Sequence, residues 1–191
     1  MIAALMVATL SANAQSFFIK PMAGGTLTTL TGDVEEDLKM KVGFTAGLEL
    51  GYQFNKLFAL TAGALYTQQG GKVSREGTED TNGEKYNRSL DYLNVPILAN
   101  VYIVPGLALK AGAQFGFLMR AKNEDEDVKD FYRNSDFSIP VGLSYEIEEA
   151  VIDLRYNIGL SNIINKDLAS ALDSKVRNSV IMLTIGYKIP F

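Results

Sequence analysis

The chain has no cysteine, no histidine and no tryptophan, and only five of its 191 residues are proline. Without cysteine there is no disulfide framework and no thiolate metal site. Without histidine, the commonest general base and nucleophile-orienting group is missing, so no catalytic residue is expected. No stretch reaches the roughly 18 apolar residues of a membrane-spanning helix. Charge is also sparse on the basic side: 18 Lys and Arg against 22 Asp and Glu give a net charge of −4, which argues against a nucleic-acid partner. The length suits a single domain.

The longest apolar run is Met1–Leu10, followed by Ser11-Ala12-Asn13-Ala14-Gln15. A short apolar core followed by small residues at alternate positions reads as a signal peptide cut after Ala14. The domain division is therefore residues 1–14 as leader and 15–191 as the mature domain. No basic n-region precedes the apolar core, which leaves the translation start open.

Beyond Gln15 the dominant pattern is a period of two. Val42, Phe44, Ala46, Leu48, Leu50, Tyr52 and Phe54 alternate with Gly43, Thr45, Gly47, Glu49, Gly51 and Gln53. The same alternation recurs in segments starting near Phe58, Ser89, Leu109, Phe137, Ile152 and Ile181. Side chains alternate between faces only in an extended strand, so each segment predicts a long two-faced strand. A first strand from Phe17 to about Thr29 is less cleanly patterned. Connections alternate between tight ones (Asn55-Lys56, Pro105-Gly106, Glu148-Glu149) and long polar ones near 31–39, 70–88, 121–134 and 162–176. Short turns on one side and long loops on the other are the pattern of outer-membrane barrels. The expected fold is all-β, an eight-stranded antiparallel up-and-down transmembrane barrel in a Gram-negative outer membrane.

Alternation alone does not say which face is inside. The polar faces are rich in Gly, Ser and Thr, which suits a crowded lumen, and carry too little charge to coat a soluble protein. Tyr52, Phe54, Phe58, Tyr187 and Phe191 gather near the tight turns and the C-terminus, where an interfacial aromatic girdle belongs. The apolar faces are therefore assigned to lipid. Glu49, Lys110, Glu146, Asp153, Arg155 and Lys188 then point inward at similar depth near the short-turn end. They are expected to form a balanced ion-pair network that fills the lumen as a structural plug, the alternative being a gated ion path. Two acidic runs, Asp33–Asp37 and Glu124–Asp127, fall in long loops. They read as solvated loop tips, with a divalent-cation site as the alternative, and no cofactor is expected.

The last eight residues, Thr184 to Phe191, resemble the C-terminal signal read by the barrel assembly machinery: polar Thr184, then Gly186, then Ile189 and the terminal aromatic Phe191. Ala14-Gln15, the first strand around Gly24-Gly25, the segment Tyr92-Leu93-Asn94-Val95-Pro96-Ile97-Leu98 and the terminal aromatic together resemble the small porin-like, PorT-type outer-membrane barrels of Bacteroidetes. That resemblance implies an architecture rather than an activity. Three functions stay open at this point: a structural or loop-displayed binding barrel with a filled lumen, a channel for small solutes, and an accessory component of protein secretion. The expected partners are outer-membrane lipid and lipopolysaccharide, the assembly machinery through the last strand, and an unidentified protein at the external loops.

Overall fold

The computed structural model describes residues 16–32, 37–74, 85–123, 126–127, 135–161 and 176–191. The leader and its cleavage point lie outside the described residues, as do positions 33–36 and 124–125 of the two acidic runs.

Eight long strands follow one another round a closed ring: β1 (Ser16–Gly32), β2 (Lys41–Gln53), β3 (Phe58–Ser74), β4 (Lys85–Val104), β5 (Leu107–Asn123), β6 (Ser135–Ile147), β7 (Ala150–Gly159) and β8 (Val176–Tyr187). Each pairs antiparallel with its neighbours in sequence, and β8 returns to β1, continued by Ile189–Pro190. Closure removes every free sheet edge, the condition for a sheet to cross hydrocarbon. Tracing paired residues once round the ring from Phe17, through Tyr52, Leu60, Ala99, Ala111, Val141, Tyr156 and Ile181, returns to Leu27. The path therefore comes back ten residues further along β1. That stagger tilts the strands and, with eight of them, leaves an interior just wide enough for side chains.

The tight connections are built by local chemistry. The Asn55 side chain accepts from the backbone N–H of Leu57 (2.8 Å) and of Phe58 (2.9 Å), closing the β2–β3 turn. Gly106 (φ +83°) and Glu148 (φ +55°) take left-handed conformations at the β4–β5 and β6–β7 turns. At the opposite end, β3 and β4 run further than the alternation suggested. Gly70–Ser74 pairs with Lys85–Ser89, inside the segment read from sequence as loop. Once a hairpin rises out of the membrane both its faces can be polar, so the period of two disappears while the backbone ladder continues.

The outer surface is the apolar one. Leu50, Ile97, Phe115, Leu154, Leu183 and Ile185 are all exposed. An aromatic chain runs round the short-turn rim, with ring centroids 6.3 Å apart for Phe191–Phe17, 4.7 Å for Phe17–Tyr52, 4.7 Å for Tyr52–Phe54 and 5.4 Å for Phe54–Phe58. Phe44–Tyr66 and Phe115–Phe137 pair nearer the other rim, at 5.7 and 5.2 Å. Two aromatic levels bracketing an aliphatic band match a membrane and its two interfaces.

Candidate functional site

The inward faces meet in a filled lumen, and its most distinctive level is ionic. Lys20 on β1, Glu49 on β2, Lys110 on β5, and Asp153 and Arg155 on β7 come together with side chains between 0% and 5% exposed. Lys20 Nζ lies 2.7 Å from Glu49 Oε2 and 3.6 Å from Asp153 Oδ2. Arg155 donates through Nε to Asp153 Oδ1 at 2.6 Å and through Nη2 to Asp153 Oδ2 at 2.8 Å. The same Nη2 reaches Glu49 Oε1 at 2.5 Å. Lys110 pairs with Asp153 and lies 3.7 Å from Glu49 Oε2. A lone buried ion costs several kcal/mol, about as much as its partners return, so such groups persist only when each meets an opposite charge. Here both carboxylates touch all three cations.

Glycine makes the room. Glu49 sits opposite Gly63, and a Cβ there would stand 2.8 Å from Glu49 Cγ. Gly142 is paired on one side with Lys110 and on the other with Arg155. A Cβ on Gly186 would come within 3.1 Å of Lys20 Cγ. Long charged side chains thus lie across bare backbone of neighbouring strands, which lets five of them share one level of a narrow barrel.

Glu146 and Lys188 form a separate pair at the short-turn mouth, 2.9 Å apart and 19% and 18% exposed. Tyr102 donates its hydroxyl to Glu146 at 2.6 Å, and Lys188 Nζ stands 4.6 Å from the centre of the Phe18 ring. Of the six residues expected to form one network, the structure brings Glu49, Lys110, Asp153 and Arg155 together and places Glu146 and Lys188 apart. Lys20 was missed because it stands in the poorly patterned first strand, between Ile19 and Pro21. An apolar layer of Met22, Leu65 and Met182 was also missed, since inward-facing apolar residues erase the alternation that identifies a lumen face.

Other polar residues line the lumen. Thr45 and Thr67 hydroxyls lie 3.0 Å apart, Gln114 donates to Ser138 at 3.3 Å, and Asn100 donates to Thr61 at 3.3 Å. Among the described residues no group of three or more Asp or Glu is arranged to hold a metal. Of the residues expected to form a C-terminal assembly signal, Thr184 is buried opposite Asp153, and Gly186 lies opposite Met22. Ile189 faces outward paired with Ile19, and Phe191 donates its N–H to Phe17 O at 2.9 Å.

An apolar exterior, a charged interior and a closed antiparallel ring together define a transmembrane β-barrel. The chain belongs to the outer membrane protein beta-barrel domain family, whose model matches residues 13–165, and its address is the outer membrane. No curated protein sequence matches it. Solved structures share the fold at low identity. Neisserial surface protein A superposes with a TM-score of 0.56 at 14% identity, covering 90% of this chain and 96% of that one. Ail of Yersinia pestis, in complex with the heparin analogue sucrose octasulfate, gives 0.53 at 19% identity, covering 92% and 99%. OprG of Pseudomonas aeruginosa gives 0.50 at 17% identity, covering 94% and 99%.

Proposed function

We propose that this protein is a closed-lumen outer-membrane barrel whose working surface is the set of long connections it holds above the membrane. The observation that carries this reading is the five-residue ion cluster across the lumen, with the Met22–Leu65–Met182 layer beside it. Water and solute need a continuous polar path, and salt bridges stacked with packed apolar side chains supply none. A rigid barrel with a blocked lumen is a scaffold, and scaffolds of this kind present binding groups on loops. The long connections, including 75–84 between β3 and β4, all leave from the same rim, and their acidic runs give that surface a distinct charge character.

Loop display is tested by single cysteines in a chain that has none. Asn82→Cys, between β3 and β4, is expected to react with a membrane-impermeant maleimide on intact cells, whereas Lys56→Cys in the β2–β3 turn reacts only after lysis. The reverse labelling pattern overturns the assignment of the long loops to the cell surface.

A further inference from the structure

We propose that Lys20 is the latch of the barrel's closing seam, holding β1 to β7 from inside where the β1–β8 ladder is interrupted. The ladder runs from Gly32–Val176 down to Met22–Gly186 and resumes at Ile19–Ile189 and Phe18–Pro190. Between these stretches, Lys20 and Pro21 have no paired residue on β8. The reason is a missing donor. Pro21 stands opposite Tyr187 in the register shared by both stretches and has no N–H to give, which removes the β1 donor that would bridge them. Similar gaps occur beside Pro96 and Pro140, but β3–β4 and β5–β6 are consecutive strands joined by the chain. The first and last strands have no such link.

At the level of the gap, Lys20 does what the backbone does not. Its ammonium lies 2.7 Å from Glu49 on β2 and 3.6 Å from Asp153 on β7, with β8 between β1 and β7. The stem passes beside Gly186 of β8, where any side chain would crowd it. One buried cation therefore ties together strands on both sides of the seam. The Lys20–Glu49 pair joins directly opposed residues of neighbouring strands and needs no closure, whereas the 3.6 Å contact with Asp153 forms only once the ring has closed and so stabilises the closed ring and not the open sheet. Gly186 supplies the gap through which the latch passes.

The test places a disulfide across the seam at the paired, outward-facing Ile19 and Ile189. The Ile19→Cys/Ile189→Cys protein is refolded in detergent with the disulfide closed, alone and combined with Lys20→Met or Lys110→Met. Thermal midpoints are then read before and after reduction by heat-modifiable gel mobility. The latch predicts that reduction lowers the midpoint of the Lys20→Met form by more than about 5 °C and shifts the other two much less. The proposal is overturned by equal shifts in all three proteins. It is equally overturned if reduced Lys20→Met is as stable as the unaltered protein, or if Lys20→Met fails to fold with the seam already locked.

Discussion

Arg155 and Gly142 face each other across the β6–β7 ladder, and the arginine stem occupies the space that a side chain on the glycine would need. A Cβ on Gly142 would stand 3.2 Å from Arg155 Cγ and would collide with the carbonyl oxygen of Leu154. Because Lys110 flanks the same glycine from β5, the strain has nowhere to relax. Gly142→Ala is expected to destabilise the barrel by about 1–3 kcal/mol, the usual range for overpacking, read as a lower unfolding midpoint in urea.

Removing the arginine itself is a harsher change. Arg155→Leu takes away the cation shared by Glu49 and Asp153 and leaves two buried carboxylates with the lysines alone. The two lysines still balance the two carboxylates, so the loss is that of the charge-assisted hydrogen bonds Arg155 makes, about 1.5–3 kcal/mol each. The heat-modifiable transition is expected at clearly lower temperature, and an unchanged transition contradicts the network.

The mouth pair behaves differently because water reaches it. Glu146→Gln disrupts a partly exposed contact with Lys188, and pairs that water screens contribute about 1 kcal/mol or less. Measured side by side, Glu146→Gln is expected to shift stability far less than Arg155→Leu. Equal losses would mean that the mouth pair and the five-residue cluster act as one network after all.

The membrane assignment makes its own forecast. Leu154, near the middle of the outward face of β7, should tolerate arginine poorly, at about 2–4 kcal/mol, whereas Val42 near the long-loop end of β2 should lose about 0–1 kcal/mol. Folding equilibria in lipid vesicles measure both. A soluble barrel would show no such depth dependence.

Strands and membrane face were legible in the sequence because both rest on a local rule, the period of two. Val42 to Phe54 shows it without a break, and β2 forms there. Strand ends were less legible: Gly70–Ser74 leaves the bilayer, so nothing forces one of its faces to be apolar. Which charges meet was least legible, because it depends on how the ring closes. Glu49 reaches Arg155 across the lumen only through the ten-residue stagger that brings Phe17 round to Leu27, and no local pattern encodes that offset. Lys20 depends on the same closure, since Gly186 comes beside it only when β8 returns to β1.

The central claim is that salt bridges and packed side chains close this lumen, and single-channel recording in a planar bilayer tests it most directly. Insertion is confirmed by heat-modifiable mobility, and a known porin serves as the positive control. Membranes containing the inserted barrel are predicted to show no steady conductance steps. Reproducible discrete steps from the unaltered protein would contradict a closed lumen and make the protein a pore.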